Sequence, residues 1–404
     1  MTNENQLDWW QRPDLSYQNS QLFFAGHSVA KLANQFGTPS FVYSTARIEA
    51  NLLRVRQALD AAGLAGRSSI FYAMKANRFA PLLRFLKDSG LCGIDACSPN
   101  EVKHAVSCGF LASDISFTAT SLSTQDFAML ARYHGLFMDC DTLHAIRVWG
   151  ELKPGSEIGI RINPATGIGR ACNDKLQYAG CNTTKFGIYR EQFELALELA
   201  AEYDLIVSKI HFHTGCGYLT TELDQLDHVI TECMKFVDAA PDVRRVNIGG
   251  GLGVPHLPED RPLDLEKWSA VLHKHFADRD LHIEVEPGDY ICKDAGLLLL
   301  GKTYVEHKRD TLFVGVDAGF NIAPEPAYYG LPFQPVTLFQ DDSPLAPAHV
   351  VGNINEALDV WYENAMLPDL DQHDYLALIN AGAYSSSMSS NHCMRGEFSE
   401  FLLA

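Results

Sequence analysis

The chain has 404 residues, 47% hydrophobic and 20% charged, with a net charge of −18. That length predicts two or three domains and that composition a soluble globular protein, while the acidic balance argues against nucleic acid and anionic membranes as partners. No apolar run approaches the roughly 18 residues of a membrane span, and the polar start MTNENQLDWWQRPD has neither the basic nor the apolar segment of a secretory signal.

The ten cysteines are scattered, with no CxxC pair, and the 15 histidines form no HExxH. They read as the reduced thiols of a cytoplasmic protein that holds no metal.

In chain order, residues 1 to about 20 read as a loose arm, followed by a strand at 23–26 and a short helix at 28–35. From Pro39 the rhythm changes. Residues 41–43 are a strand and Ser44 caps a helix over 45–62. A short apolar, β-branched and aromatic run at 69–73 is the next strand. A helix at 80–89 and a strand at 93–95 follow, then a helix that opens at Ser98-Pro99, with proline at its first position. Further strands fall at 115–117, 135–139, 156–162, 206–212, 245–248 and 281–286, with helices between, clearest at 191–203 and 223–239.

This alternation predicts an α/β architecture, a (β/α)₈ barrel over 41–287. An open doubly wound sheet is the competing arrangement, but no GxGxxG follows the first strand. After Gly288 short apolar runs separated by Gly, Pro and Asp take over, at 297–300, 311–316, 348–351, 375–379 and 400–403. They predict a second, all-β domain over 288–404, with residues 1–40 contributing an arm and a strand to it. The chain stops inside an apparent strand, which leaves open a further domain beyond residue 404.

Four stretches of the barrel segment carry chemistry, and a fifth group in the β-domain, 317–321, 352–359 and 382–384, reads residue by residue as turn signals. FYAMKAN ends a strand at Lys75, where barrel enzymes place their sites, and an amine in an apolar setting there would be nucleophilic. HFHTGCG puts His211 and His213 on one face, either able to stack on a flat ring. Gly249, Gly250 and Gly251 follow another strand and bring bare N–H groups to an anion. Glu284 and Glu286, before Pro287-Gly288-Asp289, alternate to one face, and an inward carboxylate needs a cation or an N–H.

Amine, ring stacker, phosphate cradle and carboxylate together describe a pyridoxal phosphate site. Here the sequence resembles the fold-type III pyridoxal-phosphate decarboxylases, the diaminopimelate and ornithine decarboxylase family, over about residues 20–404, with FYAMKAN the strongest match. The resemblance implies a barrel plus an alanine-racemase-like β-domain and the removal of CO₂ from an amino acid. Lys75 would hold the cofactor aldehyde and exchange it for the substrate amine. His213 would stack on the ring, and Gly249, Gly250, Gly251, Gly288 and Tyr384 would bind the phosphate. Glu286 would pair with the ring nitrogen, and Asp95, Glu101 and Arg161 would support the lysine and cofactor. The segment Gly352 to Asp359, with Asn355 and Glu356, would enter the site of a partner in a head-to-tail homodimer.

The chain departs from the family at four positions. Asn355 replaces the usual cysteine proton donor, and Asn is no acid; His392 and Cys393 are the nearby substitutes. Cys216 replaces a serine at the phosphate. Asp289 stands where the family has Arg, and Glu325 near the Arg that receives the distal carboxylate of diaminopimelate. Two such reversals, with Tyr329 beside them, predict a substrate whose distal end is cationic or neutral, because each like-charge pair at ~4 Å costs on the order of 4 kcal/mol. On that argument the chain is similar to divergent decarboxylases of siderophore and peptide-antibiotic assembly, with diaminopimelate decarboxylase of lysine biosynthesis the alternative. An alanine-racemase-like enzyme would share the barrel and lysine, and a regulator without activity would keep only the fold.

Overall fold

The structure is a computed structural model that describes residues 8–170, 173–176, 183–340, 343–370 and 373–404. It divides into two compact units: Asn51–Val254 with Arg261–Tyr290, and the residues up to Ala50 with Pro255–Asp260 and Ile291–Ala404. The eight described cysteines are all free; Cys172 and Cys181, like the first seven residues of the expected arm, lie outside the described residues.

In the first unit eight parallel strands close on one another: β1 (Ser68–Ala73), β2 (Gly93–Ala96), β3 (Ile115–Thr118), β4 (Phe137–Cys140), β5 (Glu157–Asn163), β6 (Ile206–His211), β7 (Arg245–Asn247) and β8 (His282–Val285), and the two residues Ile188–Tyr189 add a short parallel pairing to β5. Hydrogen-bonded neighbours follow sequence order. The cylinder closes where Ile283 of β8 registers with Ser68 of β1, so the doubly wound alternative falls away. Buried on both faces, the strands are rich in Ile, Val and Phe.

Helices follow the strands and start where their caps dictate. Ser98, Ser123 and Thr142 each accept a backbone N–H in the first turn, and Asp264 accepts two. The expected opening at Ser98-Pro99 is the observed one.

In the second unit, a long strand Gly296–Lys308 is central. It pairs with Thr311–Val316, Tyr375–Leu378 and Ser40–Ser44. Thr311–Val316 continues to Ala346–Val351 and then Val360–Leu367, and Ser40–Ser44 also takes the last strand, Ser399–Leu403, in parallel.

Two expectations change here. The strand at 41–43, read as the start of the barrel segment, belongs to this sheet. Residues before 20 are not a loose arm throughout: Leu15–Gln18 pairs with Gln21–Phe24, and that strand with His27–Ser28, in a sheet of their own. Trp10 and Leu15 are buried there against Val42, Leu297 and Ile379. Burial of the indole and the leucine stabilises the ordered arm by roughly 1.5–3 kcal/mol per side chain.

Candidate active site at the carboxyl ends of the barrel strands

Lys75 sits in a single 3₁₀ turn, Met74–Ala76, just past β1. Its ammonium lies 2.9 Å from Asp95 Oδ2 at the end of β2. The apolar setting expected for this amine is not what surrounds it: the side chain is 46% exposed and its neighbour is a buried carboxylate. Burial, with Glu286 close by, pushes the Asp95 carboxyl up to about 6 against the pull of Lys75. Glu101, expected to support the lysine, accepts the backbone N–H of Cys97 at 2.7 Å and ties down the turn after β2.

The glycine turn after β7 is shaped by Asn247. Its Oδ1 accepts the N–H of Gly249 at 2.8 Å, and its Nδ2 donates to Glu286 Oε1 at 2.6 Å. Gly249 therefore spends its donor inside the protein, unlike its expected role. The N–H groups of Gly250, Gly251 and Gly288 have no protein acceptor among the described residues. A Cβ on Gly250 would stand 2.3 Å from the Glu286 carbonyl oxygen, and one on Gly251 2.2 Å from that of Gly215. Gly251 also has φ +97°, which L side chains rarely adopt. Three unsatisfied donors at the ends of two adjacent strands make an anion cradle.

Glu286 lies just beyond β8, 7% exposed. Besides Asn247, its Oε1 accepts from Ser116 Oγ at 3.2 Å, and its Oε2 lies 3.2 Å from His211 Nε2. Burial opposes its charge, but His211, Lys75 and Lys209 together hold the carboxyl well below the usual range. His211 is thus the imidazole that serves Glu286. Asp139, Ser116, Thr118 and Lys209 complete the surrounding polar layer; sequence reasoning did not single them out. The only signal for them is a buried-strand pattern interrupted by polar residues, as in ISFT at 115–118 and IVSKIH at 206–211.

His213, one step past β6, has its imidazole pushed down to about 3 by burial and then by the Arg161 and Lys75 cations, so it is neutral. Its Nε2 lies 3.7 Å from Cys216 Sγ. Burial raises the Cys216 thiol above its ordinary value, and Asp289 adds to the rise. Arg161 of β5 lies over the Phe186 ring at 4.9 Å, and its Nε is buried with no hydrogen-bond partner among the described residues. Asp289 is half-buried at the end of the Glu-Pro-Gly turn.

The remaining expected residues are in the other unit. Glu325 is 3% exposed and paired with the fully buried Lys293 ammonium, which also donates to Ala383 O at 3.0 Å and lies 5.5 Å from the Tyr384 ring centroid. The bare negative charge expected at Glu325 is therefore cancelled within the protein. Asp359 accepts the N–H groups of Phe320 and Ile354 at 2.7 and 2.6 Å and locks the turn that displays Asn355 and Glu356 to solvent. Glu356 meets His392 Nε2 at 3.2 Å; Tyr329 is half-buried.

A strand-end amine, a cradle of free N–H groups, a neutral imidazole and a buried anionic carboxylate, all at one rim of a parallel barrel, define an enzyme of the vitamin B6 class. The donors suit a phosphate, and the carboxylate a protonated ring nitrogen. Residues 45–293 match the pyridoxal-binding domain of the pyridoxal-dependent decarboxylases. The chain belongs to that family: its cofactor is pyridoxal phosphate and it is an amino-acid decarboxylase, a carboxy-lyase. The diaminopimelate decarboxylase of Methanothermobacter thermautotrophicus is 31% identical across 97% of this chain and 92% of its own length. That of Pseudomonas fluorescens is 30% identical across 96% and 93%. The solved diaminopimelate decarboxylase of Helicobacter pylori, complexed with L-lysine, superposes with a TM-score of 0.83 at 26% identity, covering 93% of this chain and 94% of that one. Among the described residues no helix is long and apolar enough to cross a membrane.

Proposed function

We propose that this decarboxylase acts on diaminopimelate or a close analogue carrying a second charged group at its distal end. The Lys75–Asp95 pair, 2.9 Å apart beside the free glycine donors, carries the catalytic half of the reading. The curated relatives named for diaminopimelate support the substrate. So does Glu325, whose charge is spent on Lys293 and does not repel a distal carboxylate.

When bound, pyridoxal phosphate would supply an electron sink for the pair left on the substrate Cα as CO₂ departs. Lys75 would hold its aldehyde, with Asp95 keeping the side-chain nitrogen in place and balancing its charge. Gly250, Gly251 and Gly288 would donate to the phosphate, and neutral His213 would lie against the ring without competing for its charge. Glu286, kept anionic, would hold a proton on the ring nitrogen. Glu101 and Arg161 would brace the neighbouring strand ends, and Cys216 would stand near the phosphate. Roles for Asn355, Glu356, Tyr329 and Tyr384 rest on the resemblance, as does a head-to-tail homodimer that shares its sites; the exposed Asn355–Glu356 turn supports that assembly.

One observation favours a second reading. Asp289, half-buried where the family has Arg, would repel a distal carboxylate and attract an ammonium. It supports a lysine-, ornithine- or arginine-like substrate, or one met in siderophore or peptide-antibiotic assembly. The test is CO₂ release from purified, cofactor-loaded protein with meso-diaminopimelate, lysine, ornithine and arginine in parallel. Turnover of diaminopimelate at least tenfold above the others supports the first reading; turnover of a cationic amino acid without diaminopimelate replaces it with the second.

A further inference from the structure

We propose that Lys209 is a positioning residue of the pyridoxal site: held inside the barrel by Asp139 and Glu284, it keeps the Glu286 carboxylate ionised for the cofactor's ring nitrogen. The inference rests on the reading of Glu286 as the partner of that nitrogen.

Lys209 takes no direct part in holding the cofactor, yet it is 1% exposed in the centre of β6. Burying an ammonium costs several kcal/mol unless anions and hydrogen bonds meet it. Here they do. Its Nζ lies 2.8 Å from Asp139 Oδ2 on β4 and 3.1 Å from Glu284 Oε2 on β8. It donates to Ser116 Oγ at 3.3 Å, and that same hydroxyl donates to Glu286 Oε1 at 3.2 Å. One hydroxyl thus joins Lys209 to the functional carboxylate.

The barrel is shaped for this pair. Asp139, Gly159 and Lys209 register side by side on β4, β5 and β6. A Cβ at Gly159 would stand 1.8 Å from Asp139 Oδ1 and 3.0 Å from Lys209 Cε. The side chain missing from β5 is the space through which Lys209 reaches Asp139. On the far side, the ammonium lies 4.4 Å from the Phe137 ring centroid.

The geometry has a second consequence, through His211. Its Nδ1 lies 2.9 Å from Thr118 Oγ1 and 3.5 Å from Asp139 Oδ2, and its Nε2 faces Glu286. Asp139 and Glu286 therefore compete for one imidazole. With Lys209 and the Thr118 hydroxyl already on Asp139, His211 is left to Glu286.

The charges around Glu286 can be named strand by strand. Lys75 follows β1 and Asp95 ends β2; Ser116 and Thr118 lie on β3 and Asp139 on β4. Arg161 is on β5, Lys209 and His211 on β6, and Asn247 with Arg245 on β7. Glu284 is on β8, with Arg245 Nη1 3.9 Å from its Oε1. Among the described residues the interior here holds Asp95, Asp139, Asp141, Glu284 and Glu286, His213 also faces Glu286, and Lys209 is a buried ammonium among these carboxylates. Desolvation acts against its charge, but Asp139 and Glu284 outweigh it and raise the Lys209 ammonium above its ordinary value.

The test compares Lys209→Met with Glu284→Gln, which leave the layer with one positive and one negative charge fewer. Both are read by pyridoxal 5′-phosphate affinity and by the acid limb of kcat/KM from pH 3 to 9, a range that reaches down toward the depressed Glu286 carboxyl. Lys209→Met should move that limb up by roughly one pH unit, about tenfold in cofactor affinity at a pH on its falling side. Glu284→Gln should move it down. Shifts of opposite sign follow from charge and not from structural damage, which would weaken both variants alike. If Lys209→Met does not fold, the downward shift in Glu284→Gln carries the test. Limbs unmoved, or moved the same way, overturn the inference while wild type still binds cofactor. A wild-type chain that takes up no cofactor overturns the functional reading, and this inference with it.

Discussion

Glu325 and Lys293 form a buried ion pair, 3% and 0% exposed, in the β-rich unit, and Lys293 also donates to Ala383 O at 3.0 Å. A pair so enclosed is a local neutral unit. Drawing either member away to a charge outside the pair would cost the stabilisation that the other gains in this dry interior.

Breaking that pair should be expensive. Lys293→Met takes the ammonium away from a buried carboxylate and should lower the unfolding free energy by about 3–5 kcal/mol. The double change Lys293→Met/Glu325→Leu should recover most of the loss, since an apolar pair of similar volume needs no desolvation. Urea denaturation of the three proteins checks both statements.

Asp289 follows the Glu-Pro-Gly turn at the rim that holds the site, and in the reading with a cationic substrate its charge lies against the substrate's distal end. Asp289→Arg should raise kcat/KM for diaminopimelate and lower it for ornithine, each by about fivefold, the ~1 kcal/mol of a partly exposed charge pair. Steady-state kinetics on both substrates decides it, and equal effects of one sign would mean that this side chain does not face the distal end.

The Asp95 carboxyl gives a pH signature. Its folded value, pushed up to about 6 by burial and Glu286, lies above the roughly 3.9 of an unfolded aspartate. The folded protein then holds that proton more tightly than the unfolded chain. This contribution to stability is complete below about pH 4 and is lost as pH rises through about 6. Asp95→Asn should remove it, so the stability difference between wild type and variant should change across pH 4–6 and stay flat above 7. Denaturant unfolding of the cofactor-free proteins at half-unit steps measures the window.

Gly250→Ala tests the cradle. Its methyl group would stand 2.3 Å from a backbone oxygen of the Glu286 turn, so the turn must shift, at a cost of about 1–3 kcal/mol. Cofactor affinity should fall at least tenfold, about 1.4 kcal/mol, with the far-ultraviolet circular dichroism unchanged. Wild-type affinity in this variant would show that the backbone here is not part of the phosphate site.

Much of the site was legible from local pattern. FYAMKAN, the glycine run and Glu-Pro-Gly each end a strand, and the period of the strands places them all at one rim of a parallel barrel. The Ser98-Pro99 helix start was legible for the same reason: caps act within one turn of chain. Less local matters went otherwise. Ser40–Ser44 has the composition of any buried strand, and its partners, Gly296–Lys308 and Ser399–Leu403, lie at the other end of the chain. Asn247 was visible in its motif, but its use of the Gly249 donor depends on a rotamer.

The amino-acid order alone therefore determined the strand–helix rhythm and the strand-end places of Lys75, the glycine run and Glu286, because these follow from spacing along a few residues. Folding in three dimensions decided which charges answer one another. Lys209 meets Asp139 only because the sheet curls into a cylinder and Gly159 leaves a gap between them; Glu325 meets Lys293 only because two turns pack together. Charge complementarity in a dry interior is a property of through-space distance, and distances between remote residues are not written in their separation along the chain.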